Sequence, residues 1–203
     1  ERLSENELFE LKRKQGLPVT GVDVRLIDGT GNDVAWDGVT QGEICMRGPW
    51  VTRTYHNMPE DDRAGRFHDG YWRSGDVGTI DADGYLKVTD RVKDVIKSGG
   101  EWISSIDMEN LLLSHPAIAE AAVVGLAHPK WQERPFVLIV PKPGQEITLE
   151  QVRSHLSSAF AAWQLPDAIE IVAEIPRTSV GKFDKKQIRS AYAAAYEGEQ
   201  ADA

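Results

Sequence analysis

Residues 71–105 read YWRSGDVGTIDADGYLKVTDRVKDVIKSGGEWISS, and this stretch decides how the rest of the chain is organised. Val77 and Thr79 before Asp83-Gly84, with Tyr85 and Val88 after it, predict two strands joined by a tight turn. Asp76 follows Gly75 at the mouth of the first strand, where a carboxylate with two oxygens can accept both hydroxyls of a ribose diol. Arg91, after the hairpin, offers a planar fork of donors to sugar or phosphate oxygens. Ser98-Gly99-Gly100 then allows a sharp turn and a close backbone approach that a Cβ would block. Each part has a plainer reading: Gly-Asp as a turn, Gly-Gly as a hairpin tip, Asp76 and Arg91 as one salt bridge. Together they suggest a nucleotide site beside a narrow slot.

Upstream, Ser4-Glu5-Asn6-Glu7 is a Ser-x-x-Glu capping box, and Leu8 and Leu11 follow at helical spacing, so a helix is expected that stops by Gly16. Val22, Val24 and Leu26 alternate with Asp23 and Arg25 as a strand with one apolar face. Residues 42–47, GEICMR, read as a second strand ended by Gly48-Pro49, and Pro59 through Ala64 as a short acidic helix. Cys45 has no neighbouring base in any motif and reads as a strand residue, not a nucleophile.

Downstream the grain changes. Asp94 to Lys97 and Glu101 to Ile103 should pair over the glycines, after which Ser105 is expected to cap a helix whose buried stripe is Met108, Leu111 and Leu112. Ala121 to Val124, Phe136 to Val140 and Ile169 to Val172 read as strands. Thr148-Leu149-Glu150-Gln151 is a second capping box, opening a helix with Leu149, Val152, Leu156 and Phe160 on one face. Asp184 with Gln187 should cap a last helix running through Tyr196. The expected fold class is therefore α+β: a small β-rich subdomain over 1–90, then a compact α+β domain over 91–203.

Composition narrows the function classes. With 203 residues, 41% of them apolar, the chain has material for a folded core. A net charge of −9 argues against nucleic acid as partner and against a polybasic membrane anchor. A single cysteine forms no internal disulfide, and no apolar run approaches the roughly 20 residues of a membrane span, so a cytoplasmic setting is expected. The chain opens on Glu1, not Met, which suggests a fragment. The histidines, Cys45 and the carboxylates show no metal-ligand spacing, and no metal site is expected.

Ser74-Gly75-Asp76, Asp83-Gly84, Asp90-Arg91-Val92-Lys93-Asp94 and Ser98-Gly99-Gly100, in this order, resemble the adenylate-forming superfamily of acyl-CoA synthetases, aryl-CoA ligases, peptide-synthetase adenylation domains and luciferases. Pro176-Arg177-Thr178-Ser179-Val180-Gly181-Lys182 is similar to that family's catalytic lysine loop. The wording HDGYWRSGD and KSGGEWIS resembles medium- or long-chain fatty acyl-CoA synthetases most.

The resemblance implies a two-step reaction: a carboxylate attacks the α-phosphorus of ATP to give acyl-adenylate, and the thiol of coenzyme A then displaces AMP. It implies Lys182 as the catalytic cation, aided by about half a positive charge from the helix that follows, and Asp76, Arg91 and Lys182 as nucleotide ligands. Lys93 would be the pivot of a mobile C-terminal domain. Lys97, Gly99, Gly100 and Trp131 would face CoA, Trp131 by stacking on its adenine, although a tryptophan packed under a loop is the plainer reading.

Fatty acid, ATP and CoA are the implied partners, with a missing N-terminal domain in cis. Mg²⁺ is expected in the full-length enzyme on a ligand outside this chain, since the family's phosphate loop and Tyr-Gly-x-Thr-Glu segment do not occur here. Where several CoA ligases carry basic residues before the last strand, this chain has Trp163-Gln164-Leu165-Pro166-Asp167. Three alternatives stay open: transfer to a carrier protein, an aryl acid as substrate, and a non-catalytic module that kept the fold. Peripheral membrane contact of the full-length enzyme is open too.

Overall fold

The computed structural model describes residues 3–197 except Ala64. The chain divides into two compact units, with the division between Lys93 and Asp94.

The first unit opens with α1 (Glu5–Lys12), whose Ser4 side chain accepts from the Glu7 amide while the Glu7 carboxylate accepts from the Ser4 amide. α1 ends at Lys12, before Gly16; Gly16 instead bridges to Leu86. Five strands follow: β1 (Asp23–Ile27), β2 (Gly42–Arg47), β3 (Phe67–His68), β4 (Tyr71–Ile80) and β5 (Leu86–Arg91). They form one antiparallel sheet in which β2, β3 and β5 all pair with β4. α2 (Glu60–Arg63) lies in sequence between β2 and β3.

Alternation divides the apolar residues between two clusters, as a period of two dictates. Val24, Leu26, Ile44 and Ile80 make one, and Ile27, Cys45 and Tyr71 the other. Cys45 is fully buried, and burial, reinforced by the negative charge of Glu43, pushes its thiol up to about 11. A neutral thiol-selective reagent should leave Cys45 unmodified in the native chain and label it after denaturation; fast native labelling would contradict this packing.

β4 begins earlier than the hairpin reading required, so Ser74-Gly75-Asp76 lies inside a strand and not at its mouth. Gly75 sits at φ +75°, and the β4–β5 register shifts between Val77 and Gly78. Only glycine enters that backbone region without cost, and Gly75 lies in the stretch of β4, between Arg73 and Val77, where the β2–β4 register shifts as well.

The second unit is built on β6 (Ile96–Ser98), β7 (Glu101–Ile103), β8 (Ile118–His128), β9 (Gln132–Pro141) and β10 (Ala168–Ile171), in one sheet. β8 and β9 form a long antiparallel hairpin, β10 runs parallel to β9, and β6 meets β9 only at Ser98–Gln132. Both faces of this sheet are covered, which is why 121–124 and 136–140 read as continuous apolar runs.

On one face Ala121, Val123, Val137 and Ile139 pack with Met108 and Leu112 of α3 (Ser105–Leu113) and Val152 and Leu156 of α4 (Leu149–Leu156). On the other, Ala122, Val124, Phe136 and Leu138 pack with Ile188 of α5 (Lys185–Ala191) and Tyr196. The cap of α3 is Ser104, whose side chain accepts from Asp107; Ser105 is already helical and fully buried. α5 stops at Ala191, short of Tyr196, because Tyr196 turns inward and its hydroxyl donates to the Pro135 carbonyl at 2.8 Å. Among the described residues no helix is long and apolar enough to cross a membrane.

Candidate functional site

In the first unit the β4–β5 register sets Asp76 opposite Arg91. Arg91 Nε lies 3.1 Å from Asp76 Oδ1, with the two side chains 62% and 36% exposed. A pair this wet contributes at most about 1 kcal/mol to stability, so both groups remain available to a solvent-side ligand at little cost. The amide of Asp76 is held by Ser74 Oγ at 3.0 Å and that of Val92 by the Gly75 carbonyl at 2.9 Å, so the backbone on both sides of the pair is fixed. A larger cavity of this unit, about 720 Å³, lies by β2 and the 48–53 loop and touches neither residue.

Lys93 is exposed, in the turn that follows β5, next to the division of the chain.

In the second unit the β6–β7 turn is Gly99-Gly100, at φ +61° and +88°, positions where a side chain would be strained. Gly99 donates to the Trp131 carbonyl at 3.0 Å, and a Cβ there would come within 3.3 Å of the indole. This turn and the start of β9 are thus one construction. Trp131 is 43% exposed, with the Lys130 ammonium 5.3 Å from its ring centre. Lys97 is half-buried on β6, its amide donating to Glu133 Oε2 at 2.8 Å.

Beside the turn opens a cavity of about 360 Å³ lined by Ser98, Gly99, Glu101, Trp131, Arg134, Trp163 and Asp167. Two of these linings escaped the sequence reading. Trp163 is 45% exposed, a second indole on the same cavity. Arg134, only 6% exposed, is the floor's fastening. It donates to Asp167, to Ser98 Oγ at 3.3 Å, to the Trp163 carbonyl, and to the Leu165 carbonyl at 2.7 Å. The sequence signal is present but ambiguous: a Trp three residues before Pro166-Asp167, and an Arg inside a strand, acquire meaning only when β9 and the 163–167 loop are side by side.

Lys182 sits at the end of a small hairpin closed by an Arg177–Phe183 bridge. Thr178 donates backbone and side chain to the Lys182 carbonyl at 2.7 and 3.2 Å, and Gly181, at φ +81°, donates to the Thr178 carbonyl at 2.9 Å. Arg177 braces it from outside, reaching the Gly181 carbonyl at 2.9 Å and Glu120 at 2.7 Å with its guanidinium 4.7 Å from the Phe183 ring centre.

The loop backbone is therefore tied, while the Lys182 side chain is exposed and makes no ion pair among the described residues. The following helix, α5, has only seven residues, and the carboxylate of its cap Asp184 accepts from Gln187, so its dipole adds less than the sequence reading assumed. A second fastening, also unseen in the sequence, lies one turn on. Lys185 Nζ is 2.8 Å from both Ser105 Oγ and Glu109 Oε1, and Glu109 also accepts from the Val123 amide at 2.8 Å. This nearly buried ion pair joins α5 to α3 and β8.

The structure thus pairs Asp76 with Arg91 in the first unit and joins Gly99, Gly100 and Trp131 in the second. Lys182 stands on its own hairpin, outside the cavity. Among the described residues no group of three His, Cys, Asp or Glu is arranged to hold a metal ion.

Comparison with known proteins matches residues 107–182 to the family described as AMP-binding enzyme C-terminal domain. The chain is 49% identical to a long-chain-fatty-acid–CoA ligase of Thermus thermophilus, over 98% of this chain and 37% of that protein. It is 40% identical to a medium-chain-fatty-acid–CoA ligase of Ectopseudomonas oleovorans, over 94% and 34%. The crystal structure of ATP-bound MatB from Rhodopseudomonas palustris superposes with a TM-score of 0.74 at 30% identity, covering 91% of this chain and 36% of that one. The chain spans little more than a third of the length of each. The chain belongs to the adenylate-forming enzymes and carries their C-terminal portion, with the AMP-binding C-terminal domain inside its second unit.

Proposed function

We propose that the chain is the C-terminal part of an ATP-dependent fatty acyl-CoA ligase, an acid-thiol ligase. The observation that carries this reading is the presence, on one unit, of two candidate sites built separately. One is an exposed lysine, without an ion pair among the described residues, on a braced hairpin; the other is a glycine-lined cavity rimmed by two indoles. A protein that only adenylates needs the first alone.

In the first half-reaction the fatty carboxylate attacks the α-phosphorus and pyrophosphate leaves. Lys182 neutralises the two approaching anions by position and charge, with no proton to transfer. Asp76 accepts the ribose hydroxyls and Arg91 donates to the nucleotide's oxygens, so that binding energy distant from the reacting atoms fixes the phosphorus for attack. In the second, the thiol attacks the acyl carbon and AMP leaves. Gly99 and Gly100 leave room for a slender thiol arm, Lys97 turns toward the reacting centre, and Trp131 and Trp163 give its nucleotide end a surface. Mg²⁺, when bound, would supply charge neutralisation at the triphosphate, on ligands expected outside this chain, and a cytoplasmic setting suits all three substrates.

Lys93 is the pivot in this account, since the backbone there has to change between two states if one unit serves both steps. Lys93→Pro in the full-length enzyme fixes φ near about −65° and removes an N–H, and should slow one half-reaction at least about tenfold more than the other. Lys93→Ala should leave both nearly unchanged. Equal slowing of both steps by proline, or an alanine defect of the same size, would contradict the assignment.

The function itself is tested by pyrophosphate release from the full-length protein over a panel of straight-chain and aryl acids, followed by addition of CoA or an acyl carrier protein. Release with straight-chain acids and thioester formation with CoA are expected. Thioester formation only on the carrier, or a preference for aryl acids, would replace this reading, and no release with any acid would favour a binding module.

A further inference from the structure

Resting on that reading, we infer that Arg177 is a positioning residue for acyl-adenylate formation: it ties the tip of the lysine hairpin to β8, touches no substrate, and acts on the rate only through Lys182. The lysine is held at two levels. The shape of its hairpin is set from inside, by the amide and hydroxyl of Thr178 on the Lys182 carbonyl and by the Gly181 amide on the Thr178 carbonyl. The base is set by the Asp184 amide on the Pro176 carbonyl at 2.8 Å and by Phe183, which packs against the cluster of Phe136, Leu138 and Ile188.

Neither set of contacts fixes where the tip points. Val180 is 77% exposed, and among the described residues a Cβ on Gly181 would meet nothing within 4 Å, so the tip stands clear of the rest of the unit. Arg177 supplies the tie. One end of its guanidinium donates to the Gly181 carbonyl, next to Lys182, at 2.9 Å; the other donates to the Glu120 carboxylate of β8 at 2.7 Å, and the plane lies over the Phe183 ring. A planar fork can span a carbonyl and a carboxylate at once, which one ammonium does poorly. Its charge is matched by Glu120, whereas Lys182 makes no ion pair among the described residues. The Arg177–Glu120 pair is 38% and 36% exposed and so adds little to stability. Direction is what it fixes, and misplacing a catalytic group by about 1 Å can cost up to about 10²-fold in rate.

A double-mutant cycle in the full-length enzyme tests this, with acyl-adenylate formation and the reaction of supplied acyl-adenylate with CoA timed separately. Arg177→Ala should slow the first step about tenfold and the second less than about twofold, and the melting temperature should fall by no more than a few degrees. The loss should fall on kcat, with KM for ATP and for fatty acid within about threefold of wild type. In a Lys182→Ala background the same substitution should cost less than about twofold, because the group it positions is gone. Arg177→Lys, which keeps the charge without the fork, and Glu120→Gln, which removes the anchor on β8, should each cost about threefold.

A tenfold loss that persists in the Lys182→Ala background would mean that Arg177 acts on the reacting anions itself. Equal slowing of both half-reactions would mean that it only holds the unit together, and wild-type adenylation in Arg177→Ala would mean that the hairpin's internal bonds suffice. Each of these results overturns the inference and leaves the ligase reading intact. Adenylation unaffected by Lys182→Ala would overturn the role of Lys182 and this inference together, and no pyrophosphate release with any acid would overturn the ligase reading and the inference with it.

Discussion

Lys182→Ala in the full-length enzyme should lower the rate of acyl-adenylate formation by about 10²–10³-fold, the usual consequence of deleting one preorganised charge from a dry transition state. The hairpin does not depend on the side chain. Its closure runs through the Lys182 carbonyl, the Gly181 amide and Arg177, all of which survive the substitution. The fold and the melting temperature should stay as they are. Supplied acyl-adenylate should still react with CoA at close to the wild-type rate, because on the proposed mechanism that step uses the Gly99 side of the unit. Equal loss of both steps in folded protein would mean that Lys182 serves both, or that it shapes the unit and does not act in it.

Arg134→Ala should destabilise the second unit by about 3–5 kcal/mol, the range for removing one partner from a buried charged network. The side chain is 7% exposed and ties β9, β6 and the 163–167 loop together through its own donors: Asp167, Ser98 and two backbone carbonyls lose a partner at once. Arg153 keeps Asp167 partly satisfied, which sets the upper end of the range. Arg134→Lys restores the charge without the planar fork and should recover only part of the loss. Urea unfolding followed by tryptophan fluorescence measures this, because Trp131 and Trp163 border the site. A loss under about 1 kcal/mol would mean that the carbonyls and Ser98 find other partners. The same substitution should also spoil the cavity, whose second indole is held through its own carbonyl.

What the sequence disclosed depended on range. Ser4-x-x-Glu7 and Thr148-x-x-Gln151 cap their helices through contacts three residues apart, and both boxes are present. β2 spans the six residues that the pattern proposed, because Gly48 and Pro49 end it locally. β8 and β9 are longer than the apolar runs inside them, since Glu120, Glu133 and Gln132 go on pairing where burial no longer shows as hydrophobicity. β3, two residues long, has no pattern to read.

The site divides in the same way. The α+β class, the hairpin around Asp83-Gly84, the glycine turn and the lysine loop are local motifs and were legible. The Arg134 network, the Lys185–Glu109 pair and the indole of Trp163 join segments distant in sequence, and only the packed second unit brings them together.

The most direct test of the account follows an oxygen atom. The full-length enzyme is given MgATP, CoA and a fatty acid carrying ¹⁸O in its carboxyl group, and the products are weighed by mass spectrometry. If the carboxylate attacks the α-phosphorus and the thiol then cleaves the acyl carbon–oxygen bond, one labelled oxygen must leave with AMP, pyrophosphate must be unlabelled, and one acyl-CoA must form for each labelled AMP. ADP with label in free phosphate, or AMP formed without label, would contradict it.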